Sequence, residues 1–511
     1  MRNSRSTSIR AAGLVALLLA SPGCTDLDEQ PISSITPGQY YQNEQEVLGG
    51  LAAIYAQLRS TLDAYYNLSE VSTDEVIVPT RGSDWFDNGR WLEIHRHDWG
   101  ASSPSGLDDV RNAWVVSWVG VSRANVLLAA LENVAVPNKE ALQAEARALR
   151  AFYYYQLLDF FGGLPIVETP DIAERPRATR AETFAFIESE LKAARELLPA
   201  QWPATSSGRF TKGACDAILA NMYLNAQVFT GEVTASGLQP GQERWQDAIN
   251  SANDVLNAGV YSLATDWRST FTAANDNSPE NIFVVKHTAA ADLGLNFLMR
   301  TLHYNQFTPS PWNGFATLAE TYFAFDDADA RKQIFLVGPQ VNLETGAPVN
   351  NRQGEPLVFT PEIADVTAAT EGEGVRIGKW PPDPNHVAQN NGNDFAYFRL
   401  AEIYLIKAEA LNEQGNTGEA VNLVNELRAR VFEPDQPLTI ADQAAFRDAI
   451  LQERLRELTF EAKRRQDLIR HGKYTSGAWG VKEPSEPYRI LFPIPQTQLD
   501  ANPQLTQNAG Y

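Results

Sequence analysis

Two stretches of the chain carry the same uncommon mixture of side chains. Residues 81–99, RGSDWFDNGRWLEIHRHDW, set Trp85, Phe86, Trp91 and Trp99 among Asp84, Asp87, Asn88 and Arg90. Residues 302–316, LHYNQFTPSPWNGFA, hold His303, Tyr304, Asn305, Trp312 and Asn313. Flat aromatic rings can stack on the apolar C–H face of a pyranose, and planar polar groups can bond its hydroxyl pairs. A small-molecule site mixes a few placed polar groups with such walls. The chemistry on offer is recognition rather than bond breaking. The candidate ligand contacts are Trp85, Asn88 and Trp91 in the first stretch and Tyr304, Trp312 and Asn313 in the second. The same rings could instead pin their loops to a scaffold, and residue types leave both roles open.

Catalytic and metal patterns are not marked. A glycosidase needs two carboxylates about 5–10 Å apart across a cleft. The chain has 63 acids, and none of them stands out as such a pair. There is no G-x-S-x-G, H-E-x-x-H or glycine-rich phosphate loop. His95 and His97 could ligate a metal, but no further ligand accompanies them, and ordinary loop histidines are expected. NDNSPE (275–280) and DDAD (326–329) do not fit the twelve-residue calcium loop and read as solvated acids. No catalytic residue, metal or cofactor is expected.

The two cysteines have different settings. Cys215 lies in the helical pattern TKGACDAILANMYL and reads as a buried, inert thiol. Cys24 follows a basic start with Arg2, Arg5 and Arg10, the apolar run AAGLVALLLA, and the turn residues Ser21, Pro22 and Gly23. That order is a secretory signal, too short to span a bilayer. The site resembles a bacterial lipobox, which implies cleavage after residue 23 and acylation of Cys24. Ser21 stands where that pattern has leucine.

Net charge is −21; removing residues 1–23, which carry three arginines and no acid, makes it −24. So acidic a surface repels phosphate backbones, and nucleic acid is not an expected partner. No stretch after the signal reads as long and apolar enough to cross a membrane, which leaves the acyl chain as the only expected anchor.

The elements that must carry the aromatic stretches are mainly helical. Apolar residues recur at three and four in 45–62, 113–134, 139–162, 180–199, 212–229, 244–259 and 398–415, and again in 419–431 and 442–472. Gly162-Gly163 should cap the third of these, and Thr179 should cap the start of the fourth. Tyr153, Tyr154, Phe160 and Phe161 fall at helical spacing and read as core. Arg454, Arg456, Arg464 and Arg465, interleaved with Glu453, Glu457 and Glu461, read as an ion-paired helix face. Ala408, Ala420 and Gly415 suit a tight antiparallel pair of the tetratricopeptide kind. Stacked pairs give a curved helical scaffold over about 40–62, 113–259 and 398–472. Residues 63–112 and 260–397 are expected to be loop-rich and ligand-facing, with NIFVVKH and QIFLVG as short strands and VNLETGAPVNNRQGEPLVF as a strand–turn–strand.

Several segments together, EARALRAFYYYQLLDFFGGLPIV, FRLAEIYLIKAEALNEQGNTGEAVNLVNELRARV, LQERLRELTFEAKRRQDLIRHGKY and RILFPIPQTQLDANPQLTQNAGY, resemble the SusD/RagB family of outer-membrane nutrient-binding lipoproteins. GRFTKGACDAILANMYL, WQDAINSANDVLNAGVYSL and CTDLDEQP match it too, so the resemblance spans the chain after its signal. It implies a mainly α, single SusD-like domain over 24–511: four tetratricopeptide-like helix pairs with a loop-rich face and a few short strands. It implies a lipid-anchored position on the outer surface of a Gram-negative outer membrane. It also implies a TonB-dependent SusC-like transporter as partner, an oligosaccharide as ligand, and no enzymatic activity. A RagB-like branch of the family takes up peptides, which is the alternative reading; a surface glycosidase is the more distant one. In the family an aromatic commonly precedes the next helix, so Trp99 is read as structural. Binding residues vary with substrate and none is carried over.

Overall fold

The computed structural model describes residues 40–101 and 107–511. The expected signal and Cys24 lie outside the described residues. The helices that build the scaffold are α1 (Glu44–Val71), α2 (Arg90–Arg96), α3 (Leu107–Asn133), α4 (Lys139–Phe161), α5 (Arg180–Leu197), α6 (Lys212–Leu224), α7 (Trp245–Leu256), α8 (Leu400–Glu413), α9 (Thr417–Arg428), α10 (Gln443–Leu458) and α11 (Arg464–Arg470). They pack as pairs, α1 with α3, α4 with α5, α6 with α7 and α8 with α9, and neighbouring pairs stack through α3–α4, α5–α6 and α7–α8. The expected mainly α architecture of helix pairs is what forms.

Local sequence explains the helix ends. The Asn43 side chain accepts a bond from the Glu46 amide at 3.1 Å and starts α1. Thr179 and Glu182 form a reciprocal capping box at α5, a device worth about 1 kcal/mol. Gly162, at φ 77°, ends α4 as its glycine pair predicts. The helices then bury their apolar faces. Tyr153, Tyr154, Phe160 and Phe161 are fully buried, as read. The Tyr153 hydroxyl donates to the Ile54 carbonyl at 2.7 Å, tying α4 to α1. Its ring lies so close to Gly120 that a Cβ there would sit 2.4 Å from it. A single Gly120→Ala change would therefore pry α3 from α4.

Eight short strands pair two by two among the described residues: β1 (Glu232–Thr234) with β2 (Gly237–Gln239), β3 (Asn281–Val285) with β8 (Phe395–Arg399), β4 (Phe335–Leu336) with β7 (Arg376–Ile377), and β5 (Gly338–Pro339) with β6 (Val358–Phe359). All four pairs are antiparallel. The longest, β3–β8, carries the chain back from the loop-rich part into α8. Its inner residues Phe283, Phe395 and Tyr397 are buried.

Three expectations are corrected. The helix expected to end at residue 62 runs on to Val71, because Ala64, Tyr65, Leu68 and Val71 keep finding core; the loop-rich stretch begins only after it. Within α3, Asp108–Asn133 is long and apolar enough to cross a membrane by length and composition. Val110, Trp114, Val121, Leu127 and Leu131 are instead buried in the core shared with α1 and α4. The single helix expected over 442–472 is broken. Phe460 and Ala462 take φ of 65° and 59°. Their amides donate to the carboxylates of Glu75 and Glu70 at 2.8 and 2.5 Å, which holds the reversed turn.

The charged pattern of α10 and α11 is ion-paired, as read, and most of the pairs are buried. Arg454, Arg464 and Arg465 are buried and Arg456 is half-buried. Glu457 sits at the centre of a buried network, accepting from Arg331 at 2.9 Å, Arg399 at 2.7 Å and Arg430 at 2.6 Å. Glu461 accepts from Arg399 at 2.7 Å and from Lys379 at 2.5 Å. Burial alone would raise the Glu457 carboxyl, but Arg430, Arg399 and Arg331 outweigh it and hold it well below the usual carboxylate range. The ions are paired because an unpaired one could not be buried.

Candidate functional site

The C-terminal half of α1, the turn before α2, and the segment from residue 285 to 316 enclose a cleft of about 590 Å³. Trp85, Trp91 and Trp312 line it together, with Phe297 and Phe315. The two aromatic stretches, far apart in sequence, meet there. The meeting is specific: Trp85 Nε1 donates to the Trp312 carbonyl at 2.6 Å. The Trp85 ring lies 5.6 Å from Trp91 and 5.7 Å from Phe315, and Trp91 lies 5.3 Å from Phe315.

The turn that presents Trp85 is strained. Trp85, Asp87 and Asn88 have φ of 63°, 41° and 55°, a region bulky residues avoid. Ring packing compensates. Gly314 lets the indole lie against its backbone, where a Cβ would come within 2.3 Å of the ring. The Trp91 indole donates to Asp87 Oδ2 at 2.7 Å and closes the turn.

Polar groups come from the scaffold. Arg300, on the short helix Phe297–Thr301, donates to Asn67 Oδ1 at 3.1 Å and to Asp63 Oδ1 at 3.3 Å. Asn67 reaches Asp109 at 3.4 Å, and Arg90 pairs with that same buried carboxylate. The Arg90 guanidinium lies 4.5 Å over the Trp91 ring. The Asp63 side chain is 75% exposed, so it faces the opening with hydrogen-bonding capacity to spare. Asn296, Asp292, Arg59 and His287 complete the wall.

The six sequence candidates divide. Trp85 and Trp312 are half-buried and face the cleft. Trp91 lines it from beneath, only 4% exposed. Asn88 is exposed on the same turn, outside the lining. Tyr304 also stands off the lining: its hydroxyl donates to Asp84, and Arg352 covers its ring at 4.0 Å. Asn313 is corrected to a structural role. It is fully buried, its Oδ1 accepts from Arg376 at 3.0 Å, and its Nδ2 donates to the Glu371 carbonyl at 3.2 Å.

Reading by residue type passed over Asp63, Asn67 and Arg300. The first two look like ordinary polar positions of a helix, and only the approach of Phe297–Thr301 gives them a partner. Arg90 stood inside the quoted stretch and was not singled out.

The remaining candidates settle plainly. Trp99 is fully buried, its indole bonded to the Tyr511 hydroxyl at 2.8 Å. His95 and His97 are buried, and their rings meet the Val71 and Ser72 carbonyls at 3.1 and 2.7 Å. They satisfy carbonyls that the end of α1 leaves without a helical partner. Burial pushes His95 down to about 4. No cluster of three metal-ligating side chains occurs among the described residues. Cys215 is buried and its thiol is pushed well up by burial, as expected of an inert position.

A stack of helix pairs carrying an aromatic-floored, polar-walled cleft defines a protein of helical-repeat architecture. The chain belongs to the SusD family, whose model matches residues 215–511; a second model, described as starch-binding associating with outer membrane, matches residues 32–224. The starch-binding protein SusD of Bacteroides thetaiotaomicron is 26% identical over all of both chains. A SusD-like protein of Bacteroides fragilis superposes with a TM-score of 0.74 at 23% identity, covering 92% of this chain and 98% of that one. Surface glycan-binding protein A of Bacteroides thetaiotaomicron, in complex with laminarihexaose, superposes with a TM-score of 0.73 at 20% identity, covering 91% and 100%.

Proposed function

We propose that this protein is a cell-surface, glycan-binding lipoprotein. It captures oligosaccharides and delivers them to a SusC-like TonB-dependent transporter in the outer membrane, anchored through acylated Cys24. The observation that carries the reading is the convergence of Trp85, Trp91 and Trp312 from two distant stretches on one cleft. Trp85 and Trp312 offer ring surface for stacking, and Asp63, Arg300 and Asn67 offer planar groups for hydroxyls. Two of the carboxylates at the cleft are held by the protein, Asp63 by Arg300 and Asp87 by Trp91, and Asp292 stands exposed on a separate turn. The names of the relatives, starch-binding SusD and a laminarihexaose-bound surface protein, support a glycan as the ligand class.

The test is calorimetry of the purified protein against a glycan panel that includes maltohexaose and laminarihexaose, with Trp312→Ala alongside. Trp85 bonds the Trp312 carbonyl, not its ring, so this substitution leaves the floor tied. Losing a tryptophan anchor costs about 2 kcal/mol or more, roughly a 30-fold loss of affinity. Peptide binding with no glycan bound would replace this reading with peptide uptake. Palmitate labelling that persists in Cys24→Ala would refute the anchor.

A further inference from the structure

The mouth of the cleft offers many hydrogen-bond acceptors and few donors. Three carboxylates from three separate elements line it and are exposed: Asp63 on α1, Asp87 on the turn before α2, and Asp292 on the turn that follows β3. The Thr288 amide closes that last turn on the Leu293 carbonyl at 3.0 Å. Arg300 takes only Oδ1 of Asp63, and the Trp91 indole takes only Oδ2 of Asp87. Among the described residues, Asp63 Oδ2, Asp87 Oδ1 and both oxygens of Asp292 have no hydrogen-bond partner. An ionised carboxylate accepts and never donates.

The cations of the cleft lie deeper, and most are already matched. Arg300 is buried and divides between Asp63 and Asn67. Arg90 is paired with the buried Asp109. Arg59 is half-buried and donates from Nη1 to the Lys286 carbonyl at 3.1 Å. Burial pushes the His287 ring down to about 3, so it adds no charge. Ser60 and Asn296 can donate as well as accept. With Asp109 included, four carboxylates stand against three guanidiniums, and the groups nearest solvent are the carboxylates.

We propose that this cleft takes neutral glycans and rejects those bearing carboxylate or sulfate groups. This deepens the glycan-capture reading and rests on it: the tryptophans hold the sugar, and the acids select which sugar is held. A neutral sugar presents hydroxyl donors to the open carboxylate oxygens. A uronic acid replaces a donating hydroxymethyl group with an acceptor-only one, and a sulfate ester does the same to a hydroxyl. Acceptor then faces acceptor with like charge, which discriminates against the wrong ligand without any new attractive contact. One half-buried guanidinium does not offset three exposed acids. The net charge of −21 adds a field of the same sign. Screening limits direct repulsion to about 8 Å at physiological ionic strength, so the acids of the mouth set the choice rather than the distant ones.

The experiment is calorimetry in low salt against laminarihexaose and maltohexaose, each beside its C6-oxidised counterpart. Oligomers of galacturonate and alginate are run in the same way, each beside its carboxyl-reduced form. In every pair that binds, the neutral member should bind about tenfold or more tightly, the scale of one unfavourable charged contact. The gap should shrink in about 1 M salt, where the screening length falls to about 3 Å. Asp292→Asn should narrow it, and Asp87→Asn combined with Asp292→Asn should narrow it further, by raising the affinity of the acidic member. An acidic oligomer that binds as tightly as its neutral counterpart overturns the proposal. So does a gap that survives both high salt and the paired substitutions, which would place the selection in shape. If no gap exists and Trp312→Ala still weakens binding, only this inference falls. If peptides bind and no glycan does, the capture reading falls with it.

Discussion

Replacing Glu457 by glutamine should be among the most damaging single-atom changes available in the chain. The side chain is fully buried and accepts from Arg331, Arg399 and Arg430 and from the Trp267 indole at 3.1 Å. Each charge-assisted bond is worth about 1.5–3 kcal/mol, but desolvating the ions cancels much of that sum. The relevant quantity is the cost of stranding buried cations. Glutamine keeps the volume, removes the charge and turns an amide donor toward a guanidinium. Breaking one partner from a buried network costs about 3–5 kcal/mol. Urea unfolding followed by circular dichroism should show the midpoint falling by that amount with an unchanged slope. The sign with pH is also fixed. The folded carboxyl lies below its unfolded value, so its contribution is present above the unfolded value and is lost as pH falls through the folded one. Wild type should lose stability in acid more steeply than Glu457→Gln. A midpoint shift worth less than about 1 kcal/mol would refute the reasoning, as would identical acid profiles. Glycan affinity should be unchanged, because neither Glu457 nor its partners line the cleft.

The Glu70–Glu75 pair should act in the opposite direction. Burial raises both carboxyls above the usual carboxylate range; the Glu70 charge and hydrogen bond raise Glu75 further, whereas the hydrogen bond from Glu75 offsets part of the rise at Glu70, which stands at about 7. Its contribution is complete below the unfolded value and is lost as pH rises through the folded one; Glu75→Gln should flatten stability between the ordinary carboxylate range and about pH 7, and thermal melts across that range check it. Asn313→Ala should cost about 1–3 kcal/mol by leaving Arg376 Nε without its acceptor, while Asn88→Ala on the exposed turn should leave the melting temperature alone; paired melts of the two decide it. Gly314→Ala should push the Trp85 ring off its seat, lowering glycan affinity at least as much as Trp312→Ala; equal binding to wild type would contradict that packing.

The helix pairs were legible because their apolar residues recur at helical spacing whatever the chain later packs against. The same holds for Thr179 and Gly162, whose roles depend on near neighbours. Trp85 and Trp312 could be chosen because tryptophan in a polar loop is conspicuous. What could not be read is whatever depends on a distant partner. Arg454 and Arg465 fall in the same alternating pattern that a solvated helix shows. Their neighbours' partners, Glu280, Arg331 and Arg399, arrive from other elements. Asn313 looked like a ligand contact because it follows Trp312 in a loop, yet Arg376 and the Glu371 carbonyl claim its amide. Asp63 and Asn67 lay hidden because the α1 pattern looked finished at Leu62.

The bond from the Trp85 indole to the Trp312 carbonyl fixes the floor of the cleft before any ligand arrives. A floor already ordered asks little further loss of motion on binding. Encounter then needs no loop closure, and arrival rates should vary little across glycans of different length. Residence times should carry the differences. Under the proposed role of capture and release, selectivity then lies in how long a sugar stays rather than in how readily it enters.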